Sequence, residues 1–128
     1  MSSIVLDSSA LLTILNREPG AENLTPEILM KATCSTVSLA EVHRKLVSRG
    51  VAEKEAWIAA SSAVEEAQQF TSEHARLAGG LISHTKSLGL SLGDRACLAL
   101  GLQLSARVYT ADKAWKKLKL PIEIHVIR

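Results

Sequence analysis

Short apolar segments alternate along this chain with longer segments whose apolar residues recur every three or four positions. The short segments are rich in β-branched residues and are bounded by polar or turn-forming residues, so they predict strands. The longer segments have the periodicity of helices that bury one face. Strands that alternate with helices favour a parallel sheet covered on both faces, in one α/β domain spanning residues 1–128. The predicted strands cover residues 3–6, 33–37, 107–110 and 122–127.

Seven helical segments are predicted, and two features bear on the architecture. Residues 91–105 are apolar nearly all round, which is typical of a central helix. The pair Gly79-Gly80 is costly inside a helix and indicates a kink or close packing against another element. The predicted helices cover residues 10–16, 22–30, 38–49, 52–69, 71–88, 91–105 and 113–118.

Composition places the chain among ordinary globular proteins, with 47% apolar and 22% charged residues. No apolar run approaches the roughly 18 residues of a membrane span, and the amino terminus lacks the pattern of a signal peptide. Cys34 and Cys97 fall in segments predicted to be buried, which suits packing roles in a reducing compartment. These features together predict a cytoplasmic protein.

Four acidic residues occupy positions that a parallel α/β fold would bring together. Asp7 and Asp112 fall just past the ends of predicted strands, where open α/β sheets bind their ligands. Glu41 and Asp94 each lie in the first turn of a predicted helix. Two carboxylates about 5 Å apart repel by roughly 3 kcal/mol at an effective dielectric of about 20, so such a pocket favours a hard divalent cation. A cation held by carboxylates usually acts on phosphate, and the pattern therefore predicts a metal-dependent nuclease.

Three of these acids also have a simple structural explanation. Asp7 and Asp112 can each cap the helix that follows, because Asp is a preferred N-cap residue. Glu41 completes a capping box with Ser38 at the start of the predicted helix over residues 38–49. Taken singly, none of the three requires a catalytic role.

Asp94 is harder to explain by structure alone. It matches a capping box with Ser91, but the helix that it opens is apolar nearly all round. A charge close to a core must be paired or must bind a metal. Four unrelated caps would not be expected to converge on one crevice, so the set as a whole favours a functional site.

The net charge of +2 conceals a basic body around this acidic crevice. Without the four site acids, nine Asp plus Glu remain against fifteen Lys plus Arg, a net charge of +6. A basic surface attracts a phosphate backbone, although a solvated helix face explains any single basic residue. The aromatic content of 3% does not support a base-stacking platform, which leaves Trp115 and the loop over residues 17–20 as candidates for target choice. The candidates for backbone contacts are Arg44, Lys45, Arg95, Lys113 and Lys116.

Four segments carry a family resemblance. In chain order they read VLDSSA (residues 5–10), SLAEV (38–42), LSLGDRACLAL (90–100) and YTADKAW (109–115). Together they resemble the PIN domain family, and more narrowly the VapC-type ribonuclease toxins of prokaryotic toxin–antitoxin pairs. The resemblance spans the whole chain, in the right order, with no departure at the four acidic positions.

The resemblance implies a three-layer α/β/α sandwich with a short central parallel sheet of four to five strands. It also implies Mg²⁺- or Mn²⁺-dependent hydrolysis of RNA phosphodiester bonds by a cytoplasmic protein. PIN toxins commonly form homodimers and are silenced by a cognate antitoxin protein, so both partners are implied here. The residues implied to bind the metal and act in catalysis are Asp7, Glu41, Asp94 and Asp112, with Thr110 as a polar supporting residue and Ser8 as a weaker one.

Three other interpretations remain open. A PIN fold can serve as a catalytically silent module that binds RNA or protein, although loss of a site acid would be expected there. A PIN nuclease can also process RNA in a housekeeping role. A phosphoacceptor switch of the response-regulator type places Asp at strand ends too, but it would want a second acid in place of Ser8 and a lysine after the last strand.

Overall fold

A computed structural model of the protein describes residues 3–128. Within these residues the chain forms a four-stranded sheet in which all neighbouring strands are parallel. The sheet order is β2-β1-β3-β4, so β1 and β3 are the central strands. Ile4 pairs with Ala32 on one side and with Arg107 on the other. The strands are β1 (Ile4–Leu6), β2 (Ala32–Thr33), β3 (Arg107–Thr110) and β4 (Ile124–Val126).

Helices connect the strands and cover the sheet. The two longest are α3 and α7, of 13 residues each. Three short 3-10 helices cover Ala21–Asn23, Lys86–Leu88 and Lys113–Lys117. The α-helices are α1 (Ser8–Leu15), α2 (Pro26–Met30), α3 (Thr36–Ser48), α4 (Glu53–Ser62), α5 (Ser72–Gly80), α6 (Ile82–Thr85) and α7 (Leu92–Leu104).

The core lies in two layers, one on each face of the sheet. Successive side chains of a strand point to opposite faces, and in β1 Ile4 and Leu6 pack with α1, α3 and α4 whereas Val5 packs with α7. The second layer also contains Val108 of β3 and the fully buried Trp115. The predicted α/β/α sandwich with a parallel sheet is therefore confirmed.

The start of α3 differs from the prediction. Ser35 is the N-cap residue, and its hydroxyl accepts a hydrogen bond from the Val37 backbone amide at 3.1 Å. Ser38 is therefore buried inside the helix and Glu41 lies in its second turn. The prediction of a capping box between Ser38 and Glu41 was wrong, because Ser35 is an equally good cap three residues earlier. The strand predicted over residues 33–37 was wrong for the same reason, since α3 already begins at Thr36.

The helix predicted over residues 52–69 also ends early, at Ser62. The backbone that follows runs beside the end of β2, where the Gln68 amide donates to the Cys34 carbonyl at 2.8 Å. The Gln68 carbonyl accepts in turn from the Thr36 amide at 2.9 Å. This long-range pairing satisfies backbone groups that a longer α4 would have satisfied internally.

The helix predicted over residues 71–88 is interrupted after Gly80 into α5, α6 and a 3-10 turn. The predicted kink at Gly79-Gly80 is thus confirmed. A Cβ atom added to either glycine would meet no other atom within 4 Å, so the pair marks a break in the helix and is not required for close packing.

Both cysteines are free thiols in the core, as predicted. Burial raises the pKa of the Cys34 thiol to about 12, and it raises the pKa of Cys97 well above the ordinary value too. Both thiols therefore stay protonated and serve in packing. None of the helices within residues 3–128 combines the length and apolar character that a membrane span requires.

Candidate acidic site

Asp7 sits at the carboxyl end of β1 and begins α1. Its side chain is 3% exposed. Oδ1 accepts hydrogen bonds from the Ala10 amide at 2.8 Å and from the Ser9 hydroxyl at 2.7 Å. Asp7 is therefore the N-cap of α1, as its position predicts. A helix cap does not need to be buried, and a buried charge is costly unless it is paired, so burial marks Asp7 as a candidate for a further role.

Two hydroxyl groups hold Asp7 against the neighbouring central strand. The Thr110 hydroxyl at the end of β3 donates to Asp7 Oδ2 and accepts from the Asp112 amide at 3.1 Å. The Ser9 hydroxyl, which donates to Asp7, accepts from the Ala111 amide at 2.9 Å. Thr110 thus lies where the sequence predicts a supporting residue. Ser9 was missed, and its position two residues after a strand-end Asp is the signal that could have found it.

Asp7 is difficult to ionise in this position. Burial, with a smaller contribution from the charge of Asp94, raises its pKa from 3.8 to about 6. The hydrogen bonds from Thr110, Ala10 and Ser9 act in the opposite direction because they stabilise the ionised form. The ionised Asp7 carboxylate is thus destabilised by its surroundings, and a bound cation would stabilise it.

Glu41 and Asp94 complete the inner part of the crevice. Burial and the charge of Asp94 raise the pKa of Glu41, whereas the Ser8 hydroxyl, Lys45 and Arg44 lower it. Ser8 therefore acts on Glu41, and the hydroxyl that contacts Asp7 is that of Ser9.

Asp94 also has the structural role that the sequence predicts. Its Oδ2 accepts from the Ser91 amide at 2.9 Å, while the Ser91 hydroxyl accepts from the Asp94 amide at 3.1 Å. This capping box fixes the Asp94 carboxylate at the start of α7. Because Asp94 raises the pKa of both Asp7 and Glu41, the three carboxylates form one electrostatic group.

Gly93 lies against the carboxylate of Glu41. A Cβ atom added to Gly93 would fall on the Glu41 carboxyl group, so a glycine at this place lets α3 and α7 approach. Gly93 is buried and lies in the first turn of α7, where a glycine costs about 1 kcal/mol relative to alanine. Sequence reasoning missed this residue, and the signal was a costly glycine directly before a candidate site acid.

Asp112 stands at the rim of the crevice. Its side chain is exposed, and Oδ1 accepts from the Ala114 amide at 2.9 Å, which confirms the predicted cap of the Lys113–Lys117 turn. Asp112 contributes to the raised pKa of neither Asp7 nor Glu41. The structure thus gathers three of the predicted acids closely and places the fourth beside them. We refer to Asp7, Glu41, Asp94 and Asp112 as the acidic site.

The donor chemistry of the acidic site fits a hard divalent cation. All four side chains offer carboxylate oxygens, and no ion pair found among residues 3–128 involves any of them. Within the same residues, no three Asp, Glu, His or Cys side chains already stand in a chelating arrangement. A cation here would therefore be held by few protein ligands and several waters, the mode that Mg²⁺ prefers.

The basic residues near the acidic site differ in what they contact. Arg95 donates from Nη1 to the Ala78 carbonyl at 2.9 Å, so its guanidinium ties α7 to α5. Trp115 is 1% exposed, which makes its predicted part in target choice wrong. Lys45 is half-buried on α3. The exposed candidates are Arg44, Lys113 and Lys116.

A parallel α/β/α domain with carboxylates at the carboxyl ends of its central strands has its polar groups where open α/β sheets bind their ligands. The model of one family, the PIN domain, matches residues 4–120 of this chain. The chain belongs to the PIN domain family. A comparison with curated protein sequences finds no significant match.

Solved structures share the same fold at low sequence identity. DNA-bound VapBC from Salmonella typhimurium superposes with a TM-score of 0.76 at 15% identity, covering 100% of both chains. VapC20 of Mycobacterium tuberculosis, a sarcin–ricin loop cleaving toxin, gives 0.75 at 19% identity and covers 91% of this chain and 97% of that one. VapBC2 from Rickettsia felis, bound to a DNA fragment from its promoter, gives 0.73 at 18% identity, with 94% and 96% covered. At these identities the likeness shows a shared fold.

Replacing Thr110 by valine is expected to raise the pKa of Asp7 above its value of about 6. The substitution removes a hydroxyl that stabilises the ionised carboxylate, and a hydrogen bond to a charged group contributes about one pKa unit or more. Carboxyl ¹³C NMR titration of the metal-free protein would measure the change. Thr85→Val is a matched control, because the buried Thr85 hydroxyl donates to the Leu81 carbonyl away from the acidic site. An unchanged Asp7 titration in Thr110→Val would contradict the assigned hydrogen bond.

Proposed function

We propose that this chain is a divalent-metal-dependent endoribonuclease. The observation that supports this most strongly is the inner group of Asp7, Glu41 and Asp94, in which the charge of Asp94 raises the pKa of the other two and no ion pair found among residues 3–128 involves any of the three. Such an arrangement is stabilised by a bound cation, and PIN membership provides the class of reaction. Either Mg²⁺ or Mn²⁺ suits ligands that are all oxygen.

Each residue of the acidic site has a definable role in this proposal. Asp7 and Asp94 would hold the cation, with Asp112 assisting from the rim of the site. When bound, the cation supplies Lewis-acid stabilisation of the charge on the scissile phosphate. Thr110 and Ser9 hold Asp7 in one orientation through the hydrogen bonds described above.

We assign the proton transfer to Glu41, because the Asp7 carboxylate already accepts hydrogen bonds from Ser9, Ala10 and Thr110. Its raised pKa brings its proton affinity closer to neutral pH, which improves a carboxylate as a general base. The Glu41 carboxylate would accept the proton of the water that attacks phosphorus. The bond between phosphorus and the 3′ oxygen then breaks, and the 3′ oxygen takes up a proton from solvent.

We further infer that the nuclease is the VapC-type toxin of a toxin–antitoxin pair. The fold is shared with VapC20, described as a sarcin–ricin loop cleaving toxin, and with chains of VapBC complexes. A cognate antitoxin and a second copy of this chain are the expected partners. Trp57 and Ile58 on α4 are 46% and 67% exposed, and such side chains suit a surface that a partner covers.

Cleavage of a mixed structured RNA pool tests the enzyme. Purified protein is expected to cut RNA with Mg²⁺ or Mn²⁺ and to stop when EDTA is added. Asp94→Asn should lose at least about a hundredfold in rate because it removes a metal ligand. Glu65→Gln makes the same chemical change at an exposed residue outside the acidic site and should keep full activity.

The outcomes separate the competing roles. If the wild type binds RNA but never cuts it, a silent binding module replaces the enzyme. If it cuts RNA but its expression does not arrest growth, the housekeeping nuclease is the better assignment. Growth arrest that Asp94→Asn abolishes would support the toxin.

A further inference from the structure

A small basic pocket adjoins the acidic site. It has a volume of about 160 Å³, and two of its lining residues, Ser9 and Ala111, belong to the hydrogen-bond network around Asp7. A molecule in the pocket would therefore lie next to residues that also hold Asp7 in the acidic site. The polar and charged lining residues are Ser9, Glu18, Lys45, Arg49 and Arg128.

Two cations of the pocket are available to a ligand. Arg128 is already committed, since its Nη2 lies 3.0 Å from Glu18 Oε1 and its Nε donates to the Pro19 carbonyl at 3.0 Å. The ion pair with Arg128 neutralises the negative charge of Glu18 in the pocket lining. Neither Lys45 nor Arg49 takes part in an ion pair found among residues 3–128. The pocket therefore attracts an anion.

The same helix face joins these cations to the acidic site. Glu41, Lys45 and Arg49 follow one another at intervals of four residues in α3 and its C-cap, so they form one stripe. With a rise of about 1.5 Å per residue, Lys45 and Arg49 stand about 6 Å and 12 Å along the helix from Glu41. A strand that passes Glu41 along this stripe meets two positive charges in succession.

The size of the pocket limits its ligand. A volume of about 160 Å³ holds roughly five water molecules, which is room for a phosphate group and too little for a drug-sized ligand. No aromatic side chain lines it, so it offers no surface for stacking a base. Cations that contact a phosphate position a strand without reading its sequence.

We propose that this basic pocket binds a phosphodiester group of the RNA next to the one that is cleaved, through Lys45 and Arg49. The inference rests on the proposed nuclease function. It predicts that the RNA strand extends from the acidic site along α3. It adds Arg49 to the sequence-based candidates and separates Lys45 from Arg44, Lys113 and Lys116, which do not line the pocket.

The double variant Lys45→Ala/Arg49→Ala tests the pocket. Its KM for an oligoribonucleotide is expected to rise on the order of ten- to hundredfold with kcat little changed, as for loss of hydrogen bonds to a charged group. RNA affinity measured in EDTA should show a salt slope smaller by about one to two. The control Arg76→Ala/Lys86→Ala removes the same two charges from exposed positions of α5 and the 3-10 turn after α6.

A modified substrate gives a second readout that a structural defect would not reproduce. Once the cleaved bond is mapped, one neighbouring phosphate at a time is replaced by an uncharged methylphosphonate. At the position that the pocket binds, the methylphosphonate should weaken binding to the wild type and should not weaken binding to the double variant.

Two results would overturn the pocket. One is a double variant whose KM and salt slope equal those of the control while the wild type cleaves RNA, which leaves the nuclease intact. The other is an equal methylphosphonate effect in wild type and double variant at every position. A wild type that cuts no RNA at all would instead remove the proposed function itself.

Discussion

Asp7→Asn is expected to abolish metal-dependent cleavage and, at the same time, to stabilise the metal-free protein at pH 8. The loss of activity follows from removing a negatively charged side chain that we propose as a metal ligand, and it should reach about a thousandfold or more. The gain in stability follows from burial, because Asp7 is 3% exposed and has no cationic partner among residues 3–128. Asparagine removes the charge and keeps the shape.

The direction of the pH dependence follows from the pKa of Asp7, which folding raises from 3.8 to about 6. The folded state therefore binds the Asp7 proton more tightly than the unfolded state does. The resulting stabilisation is complete below about pH 4 and is lost as pH rises through 6. At pH 8 the ionised carboxylate costs the metal-free wild type roughly 1 to 3 kcal/mol, at 1.36 kcal/mol per pKa unit.

Thermal unfolding in EDTA between pH 4 and pH 8 would measure this contribution. The variant should melt several degrees higher than the wild type at pH 8, with the difference shrinking toward pH 4. Added Mg²⁺ should raise the melting temperature of the wild type above that of the variant, because a bound ion stabilises the folded protein and the variant binds Mg²⁺ poorly. In EDTA, Asp112→Asn is the control, because it removes a carboxylate charge from an exposed side chain of the same site. A variant less stable than the wild type at pH 8 in EDTA would refute the account of Asp7.

Gly93→Ala is expected to impair cleavage as severely as loss of Glu41, although Gly93 carries no functional group. The new Cβ would take the space of the Glu41 carboxylate, which sits at the end of a flexible side chain and will rotate away. Stability should rise slightly, by up to about 1 kcal/mol, because alanine is the better helix former. A drop in activity without a drop in stability identifies Gly93 as a positioning residue.

A double-mutant cycle gives the sharper readout for Gly93. If the alanine acts by displacing Glu41, then Gly93→Ala should have little further effect on kcat in a Glu41→Gln background. Gly79→Ala is the matched control, since Gly79 lies in α5 with open space around its Cα and should gain helix stability with normal activity. Additive losses in the cycle would show that Gly93 affects cleavage by another route.

The sequence predicted the architecture well where local pattern and tertiary structure agree. β3 was predicted residue for residue, and α7 within one residue at each end, because an apolar helix with a serine cap has one reasonable register. The prediction was wrong where several starts compete or where distant pairing decides. Ser35 and Ser38 are both good caps, and the end of α4 is fixed by hydrogen bonds between Gln68 and the chain beside β2.

The residues of the acidic site also differ in how far the sequence predicts their positions. Strand-end and cap positions place Asp7, Asp94 and Asp112 from sequence alone, and their assignment as metal ligands stays a prediction. The side chains that orient or crowd these acids could not be placed, because their roles depend on contacts across the fold. Ser9 reaches the amide of Ala111, and Gly93 meets a carboxylate from another helix.

The position of β3 between β1 and β4 has a consequence for the order in which the protein is made. Asp7 is synthesised 103 residues before Thr110, the residue whose hydroxyl holds it. A chain interrupted before Arg107 lacks a central strand and leaves one edge of β1 unpaired, a state prone to aggregation and degradation. If the protein is toxic to the cell that makes it, this topology keeps nascent and truncated chains harmless until β3 has been made.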